Sequence, residues 1–273
     1  MKKFIVIGNP IKHSLSPTVH EYWFKKYNEK ATYEKKFLEE KDLKKIIQDI
    51  KKNQITGANI TVPFKQKIIP FLDELSLVAK ETLSVNTIYK NNNKIIGDNT
   101  DVGGFQNSLL EHFSKKSIKS TLLIGAGGVS PSIIYALKNL NSEQIFISNR
   151  TEEKAQSLKD RFGSLLSIVP WNDLANKNLY VDLVINATSL GLQQEEIIDL
   201  NFSIFDKKTI FYDVIYNPHQ TSFLKKAESL GYQTINGMMM FLYQAQLAYE
   251  IWNKQKPEID TYLLNLVQQN RYD

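Results

Sequence analysis

The chain has 273 residues, of which 42% are hydrophobic and 23% charged; this composition is globular and excludes a disordered or fibrous protein. It has no cysteine, which excludes disulfides, thiolate metal sites and a catalytic cysteine. The formal net charge is +5, but the lysines are mixed with acids along helix-like segments, so solvated helix surfaces are favoured over a nucleic-acid-binding face.

The four histidines are scattered and form no HxxxH pair, so no metal site is predicted. Near the N-terminus the apolar run 4–7 is too short for the core of a signal peptide, and no run reaches the length of a membrane span. The expected location is the cytoplasm, with no membrane partner.

The first hundred residues alternate between strand and helix patterns. Strands are predicted at 4–8, 31–38 and 57–63, helices at 16–28 and 39–52, further helical stretches around 64–74 and 76–83, and a hairpin over 84–100. This alternation is typical of an α/β domain with a mainly parallel sheet.

A second alternation begins near residue 120 and indicates a doubly wound, Rossmann-type domain. Strands are predicted within 120–128, 144–150, 166–170, 181–188 and 209–216, with helices at 130–140 and 151–163, and three final helices at 221–231, 237–254 and 258–269. We expect a discontinuous first domain, 1–101 plus 238–273, and a second domain at 102–237.

The segment "LLIGAGGVSPS" (122–132) joins a buried strand to a helix through a glycine turn. Such a turn lets the backbone approach a pyrophosphate, whose charge then meets the helix N-terminus. Ser130 is expected to cap the helix, with Pro131 in its first position. The glycine pattern lacks its third member, and a purely structural turn stays an alternative.

The next predicted strand ends in "NRT" (149–151), where an NAD site would offer an acid. Arg150, Thr151 and, one turn on, Lys154 instead suit the 2′-phosphate of NADP. Two cations at a helix N-terminus oppose the helix macrodipole, which favours an anion ligand over ordinary surface charge.

Polar residues also follow the predicted strands of the first domain, where ligands bind in open α/β sheets. They are Ser14, Ser16, Asn59, Thr61, Lys65, Asn86 and Asp101. Ser14 and Ser16 precede a helix and suit a carboxylate, although Ser16 acting only as an N-cap stays an alternative. A lysine can protonate an alkoxide, and an aspartate can orient the lysine.

The motifs "GNPIKHSLSP", "GANITVPFK", "VNTIY", "GDNTD", "GAGG", "NRT", "NATSLG", "YDVIYNP" and "GMMMFLYQA" occur in this order along nearly the whole chain. Together they resemble the shikimate dehydrogenase family. The resemblance implies reversible, NADPH-dependent reduction of 3-dehydroshikimate to shikimate, a small-molecule substrate, in aromatic amino-acid biosynthesis.

By position, the resemblance implies that Lys65 and Asp101 form the catalytic pair and that Ser14 and Ser16 hold the substrate carboxylate. It implies that the ring hydroxyls are bound by Thr61, Asn86 and Gln244, and that Tyr216 reaches the substrate from the second domain. We include Asn59 as a substrate-binding candidate because of its place beside Thr61.

On the cofactor side, the resemblance implies three groups. The pyrophosphate group is Gly125, Ala126, Gly127, Gly128 and Val129. The 2′-phosphate group is Asn149, Arg150, Thr151 and Lys154. The group lining the nicotinamide end is Thr188, Ser189, Val214, Gly237 and Met240.

Two positions depart from the family pattern: Val102 replaces a common glycine after Asp101, and Ser222 a common proline. Neither carries a chemical role. Alternatives are a quinate/shikimate dehydrogenase that uses NAD or NADP, and a catalytically inactive nucleotide-binding protein; Arg150 with Lys154 argues against NAD, and Lys65 with Asp101 against an inactive protein. The pattern leaves a homodimer open.

Overall fold

A computed structural model describes residues 1–113, 117–192 and 197–270. The chain divides into two compact units, unit 1 (Met1–Gly104 with Leu242–Asp273) and unit 2 (Phe105–Phe241). These limits lie three and four residues beyond the predicted domain crossings at 101 and 238. None of the helices within the described ranges combines the length and the apolar character that a bilayer crossing requires.

The predicted α/β class is confirmed by the order of the elements. The first part of the chain forms β1 (Lys2–Gly8), α1 (Ser16–Lys26), β2 (Ala31–Phe37), α2 (Leu43–Lys51), β3 (Gly57–Ile60), β4 (Glu74–Leu75), α3 (Leu77–Thr82), β5 (Thr87–Asn91), β6 (Lys94–Asp98) and α4 (Thr100–Phe113).

The second part forms β7 (Ser120–Ile124), α5 (Ser130–Asn139), β8 (Gln144–Ser148), α6 (Glu152–Phe162), β9 (Leu166–Ile168), β10 (Leu183–Asn186), β11 (Ile210–Asp213), α7 (Ser222–Ser229) and β12 (Gln233–Ile235). Two helices, α8 (Met238–Asn253) and α9 (Thr261–Gln269), follow.

The sheet of unit 1 has the strand order β2-β1-β3-β5-β6-β4. Strand β1 lies parallel to β2 and β3, and β4 lies parallel to β6, whereas β5 is antiparallel to both of its neighbours. The sheet is therefore mainly parallel, as predicted. Because β1 and β3 are parallel neighbours, the loops that follow them start at the same edge.

The sheet of unit 2 is parallel in every pairing and has the order β12-β11-β10-β7-β8-β9. When β7 is counted as the first strand of the unit, the order is 6-5-4-1-2-3, which is the Rossmann order. The direction in which successive strands are added to the sheet reverses between β7 and β10. Ligands of such sheets bind beyond the carboxyl ends of the strands at that reversal. The turn at Gly125 and the loop at Ala187 begin there.

One predicted helix is wrong. Residues 64–74 contain only a short 3₁₀ turn, Ile69–Phe71, before β4. Pro70 cannot donate a backbone hydrogen bond within a longer helix. Asp73 instead joins the sheet edge: its amide donates to the carbonyl of Ile95, and its carboxylate accepts the Ile95 amide. The short strands β4 and β12 carry no periodic signal in the sequence.

An aromatic cluster lies in the core of unit 1 around His20, which is fully buried. The His20 ring stacks on Tyr33, with centroids 4.4 Å apart and planes 4° apart, and it also contacts Trp23 and Trp252. Within the described ranges neither ring nitrogen has a hydrogen-bond partner. Burial lowers the pKa of His20 to about 3, so the ring is neutral in the folded chain.

We expect His20 to make stability depend on pH. Its pKa is about 6.5 in the unfolded chain, so the unfolded state takes up a proton first, and stability falls as the pH drops below that value. Between about pH 7.5 and pH 5 this single site should remove about 2 kcal/mol from the free energy of unfolding. His20→Phe should lose that part of the pH dependence, as urea unfolding at the two pH values would measure.

The matched control is His112→Gln, which removes an exposed histidine and should leave the pH dependence of the parent chain. If His20→Phe lost as much stability on acidification as the parent, His20 would not be the neutral buried group described here.

Candidate active site

The loops that follow β1 and β3 touch at the carboxyl edge of the unit 1 sheet. Gly8 ends β1, and a Cβ on it would lie 2.4 Å from the methyl carbon of Thr61, so only glycine permits this approach. The Thr61 amide donates to the carbonyl of Ile7, and the Asn9 amide donates to that of Val62. The segment around Thr61 is thereby held beside the loop that carries Ser14 and leads to Ser16 at the start of α1.

Lys65 and Asp101 form an ion pair in unit 1. Nζ of Lys65 lies 2.5 Å from Oδ2 of Asp101, and the two side chains are only 11% and 8% exposed. Asp101 stands in the first turn of α4, where the helix dipole favours a carboxylate. The arrangement holds the lysine amine at a fixed place with little access to water.

Asn86 connects this pair to the sheet. Its carboxamide nitrogen donates to Oδ1 of Asp101 (2.9 Å), to Oγ1 of Thr100 (2.9 Å) and to Oε1 of Gln244 (3.3 Å). Its carboxamide oxygen accepts from the Thr100 amide (2.8 Å) and from the hydroxyl of Thr87 (2.9 Å). One buried side chain therefore positions the start of α4, and with it Asp101.

Asn59 lies behind Asn86. Its carboxamide nitrogen donates to the backbone carbonyl of Asn86 (3.0 Å) and to the hydroxyl of Thr87 (3.1 Å), while its oxygen accepts from the hydroxyl of Tyr33 (2.6 Å). Burial raises the pKa of Tyr33, so its hydroxyl stays a donor. Asn59 thus acts on the site through Asn86. Sequence reasoning missed Tyr33, which has no motif around it.

Ser14 and Ser16 lie together at the start of α1. The Ser14 hydroxyl donates to that of Ser16 (3.2 Å) and accepts from the Ser16 amide (3.3 Å). The N-cap residue is Leu15, which makes no side-chain capping bond, so the alternative of Ser16 as N-cap is wrong. The two hydroxyls stand at a helix N-terminus whose cap residue has no side-chain oxygen, a suitable place for an anion.

The glycine turn of unit 2 depends on Gly125, whose φ is +112°. A Cβ there would lie 2.8 Å from the carbonyl oxygen of Ala187, so glycine is required by both conformation and space. Nothing lies within 4 Å of a Cβ built on Gly128, and Gly127 is exposed. The turn therefore leaves room for a ligand against its backbone.

The predicted cap of α5 is wrong by one residue. Val129 is the N-cap and makes no side-chain capping bond, and Ser130 is the first helical residue. The Ser130 hydroxyl is buried and donates to the carbonyl of Gly125 (2.9 Å), closing the turn from within. As in α1, the cap residue has no side-chain oxygen that could bind the amides of the helix N-terminus.

Asn149 ties this turn to the "NRT" loop. Its side chain accepts from the Ala126 amide (2.9 Å) and donates to the carbonyl of Thr151 (2.7 Å). Arg150, Thr151 and Lys154 are exposed, and within the described ranges neither Arg150 nor Lys154 forms an ion pair.

The helix-dipole argument for an anion at this place is weaker than the sequence pattern implies. Helix α6 begins at Glu152, and Glu152 and Glu153 in its first turn already match the dipole. The support for an anion comes instead from the exposed cations Arg150 and Lys154, which have no carboxylate partner in the described parts of the chain.

The residues predicted at the nicotinamide end all lie in unit 2. A Cβ on Gly237 would lie 2.1 Å from the carbonyl oxygen of Val214, so these two positions pack backbone to backbone. Met240 is buried, Ser189 is exposed, and the amide and hydroxyl of Thr188 are both held by Asn186.

Tyr216, predicted to contact the substrate, stacks on Phe241 within unit 2, with ring centroids 4.5 Å apart. Sequence reasoning missed Asn186 and Asp213, which are fully buried at the carboxyl ends of β10 and β11. A signal was present, because each is a polar residue that ends a strand of otherwise buried residues.

Comparisons with known proteins point to one family along nearly the whole chain. Residues 6–88 match the model of the shikimate dehydrogenase substrate binding domain, and residues 108–213 match the shikimate / quinate 5-dehydrogenase model. A shikimate dehydrogenase (NADP(+)) of Pelagibacter ubique is 53% identical over 266 residues, covering 97% of this chain and 98% of that protein.

Solved structures agree with the fold of the whole chain. The crystal structure of shikimate dehydrogenase from Aquifex aeolicus is 35% identical, with a TM-score of 0.87 and coverage of 100% of this chain and 98% of that one. A shikimate 5-dehydrogenase from Thermus thermophilus in complex with NADP(H) and shikimate is 27% identical, with a TM-score of 0.86 and coverage of 100% and 99%.

Proposed function

Because the chain belongs to the shikimate dehydrogenase family, we propose that Lys65 and Asp101 are the catalytic pair of that family's reaction. The chain is an NADP-dependent oxidoreductase that reversibly reduces 3-dehydroshikimate to shikimate in aromatic amino-acid biosynthesis. The observation that carries the assignment of the pair is the 2.5 Å contact between Nζ and Oδ2 in a place with little access to water.

The residues of unit 2 fit NADP. The turn at Gly125 leaves space above Gly128 and leads into a helix whose cap has no side-chain oxygen, so the amides of that helix N-terminus can meet a pyrophosphate. Arg150 and Lys154, exposed and without ion pairs in the described ranges, supply the charge that a 2′-phosphate needs. NADPH, when bound, supplies the hydride.

The proton that the reduction requires is transferred by a residue of this chain. When the substrate carbonyl carbon gains a hydride, its oxygen becomes an alkoxide and needs one proton. The Lys65 ammonium donates that proton and stabilises the developing charge, and in the reverse direction the amine takes it back from the hydroxyl. Asp101 holds the lysine with one carboxylate oxygen while Asn86 holds the other, so the amine keeps its position as its charge changes.

We assign substrate binding mainly to unit 1. Ser14 and Ser16 would bind the carboxylate. Thr61, Asn86 and Gln244 would bind the ring hydroxyls, with Asn59 supporting Asn86, and Tyr216 would also contact the substrate. The contacts of Asn86 with Asp101 and Gln244 support this grouping.

We assign cofactor binding to unit 2. The pyrophosphate would lie on residues 125–129 and the 2′-phosphate on Arg150, Thr151 and Lys154, with Asn149 joining the two loops. The nicotinamide end would be lined by Thr188, Ser189, Val214, Gly237 and Met240.

We also propose that the protein works in the cytoplasm on small molecules, without a nucleic-acid partner; a homodimer stays an open alternative. Support comes from the pairing of surface lysines with acids, as in Lys2–Glu29 and Lys3–Glu34, which disperses the positive charge.

The first prediction of this function concerns Lys65. Lys65→Met keeps the length of the lysine stem and removes the charged amine, so kcat should fall by about 10²–10⁴-fold, while the KM for shikimate changes much less. The control is Lys67→Met, which removes a more exposed lysine paired with Glu40 and should keep kcat near that of the parent chain. A Lys65→Met variant whose kcat stays within about threefold of the parent would limit Lys65 to a binding contact.

The second prediction concerns the cofactor. Arg150→Ala should raise the KM for NADP by about 10- to 150-fold, because a charge-assisted hydrogen bond is lost, and should leave the KM for NAD nearly unchanged. Lys159→Ala, which removes an exposed lysine near the other end of α6, is the control and should affect neither. Equal losses with both cofactors would contradict the 2′-phosphate assignment.

A further inference from the structure

Asp213 is a buried carboxyl group that the reaction described above does not use. It ends β11, has no exposed surface, and accepts three hydrogen bonds. Oδ1 accepts from the Ile215 amide (2.9 Å), and Oδ2 accepts from Nδ2 of Asn186 (3.0 Å) and from the hydroxyl of Thr221 (2.7 Å). Within the described residues each hydrogen-bond partner of this carboxylate is a donor, so the position requires a group that only accepts.

The Asn186 carboxamide extends this arrangement to the loop after β10. Its nitrogen donates to Asp213 and to the carbonyl of Leu190 (3.0 Å), and its oxygen accepts from the amide (3.0 Å) and the hydroxyl (2.7 Å) of Thr188. All four hydrogen-bonding positions of the side chain are used. Turning the carboxamide over would set its oxygen against the Asp213 carboxylate, so Asp213 determines which way Asn186 faces.

Thr221 closes the arrangement from the other side. Its hydroxyl gives its proton to Asp213 and accepts from the Leu224 amide as the N-cap of α7. Gly191, whose φ is +104°, packs against it: a Cβ there would lie 3.1 Å from Cβ of Thr221. Both ends of the 188–191 loop are therefore fixed by groups that contact Asp213.

From this geometry we propose that Asp213 is a positioning residue for the cofactor: through Asn186 and Thr221 it holds the 188–191 loop in the form that receives the nicotinamide end of NADP. The inference rests on the proposed function, which places Thr188 and Ser189 at that end. Burial raises the pKa of Asp213 to about 6, so the carboxylate, the form that accepts all three bonds, still prevails above neutral pH.

Asp213→Asn tests the proposal with almost no change in shape. Either orientation of the new carboxamide sets its NH₂ group against a donor, the Ile215 amide on one side or Asn186 and Thr221 on the other. We expect the KM for NADP and the dissociation constant for NADPH, measured by fluorescence titration, to rise by about 5- to 30-fold, with the KM for shikimate within about twofold of the parent.

A second pair of variants keeps the test decisive if Asp213→Asn folds poorly. Thr221→Val removes the donated bond and should raise the NADP values in the same way, whereas Thr221→Ser keeps the hydroxyl and should restore them. The matched control is Thr209→Val: Thr209 precedes the other end of β11, and its buried hydroxyl bonds to the carbonyl of Val181 (2.8 Å). This variant should lower the Tm and leave both NADP values unchanged.

The proposal would be overturned if Asp213→Asn, or Thr221→Val where that variant must serve, lowered the Tm as the control does and kept the NADP values within about twofold of the parent. An inactive parent chain would contradict the proposed function instead. The fluorescence titration with NADPH needs no turnover, so it would still decide the role of Asp213.

Discussion

The ion pair of Lys65 and Asp101 is the interaction on which the rest of unit 1 depends. Two opposite charges with little exposure lose much of their hydration, and their attraction repays this only when further hydrogen bonds satisfy them. The Asn86 carboxamide and the N-terminal turn of α4 provide that compensation for Asp101. Asn86 directly precedes β5 and Asp101 lies in the first turn of α4, so their hydrogen bond joins the beginnings of these two elements. Asn59, held by Tyr33, donates to the carbonyl of Asn86 from behind.

Unit 2 also holds a buried aspartate by a hydrogen bond from an asparagine side chain. In unit 1 the carboxamide of Asn86 donates to a carboxylate, and in unit 2 that of Asn186 donates to the carboxylate of Asp213. In each case the carboxamide oxygen also accepts a backbone amide, that of Thr100 in α4 and that of Thr188 in the loop after β10. Asp101 also contacts a lysine, which suits proton transfer. The groups that donate to Asp213 within the described residues are uncharged, which suits holding a loop.

Much of the fold could be predicted from the sequence, because buried strands and a glycine turn leave local patterns. The turn at Gly125 could be read directly, since its conformation and its contact with Ala187 both demand glycine. The caps could not be placed to the residue. In α1 and α5 the proline occupies the second helical position and the serine before it the first. The cap therefore lies one residue earlier, at Leu15 and at Val129.

The sequence predicted several residues that the structure brings together, but not the hydrogen bonds between them. Lys65 and Asp101 stand out as polar residues that follow strands, yet nothing local says that Asn86 joins them, because the bond depends on how β5 meets α4. Tyr33 and Asp213 were missed for the same reason: their partners lie far along the chain and become neighbours only in the folded sheets.

The central claim is that Lys65 and Asp101 act as one unit, and a double-mutant cycle on kcat tests it most directly. The cycle compares Lys65→Met, Asp101→Asn and the double variant with the parent chain under saturating shikimate and NADP. If the pair acts as described, removing the second residue costs little more once the first is gone, and the double variant loses about as much as the more damaged single variant. Losses that multiply across the cycle would show two independent residues and contradict the account.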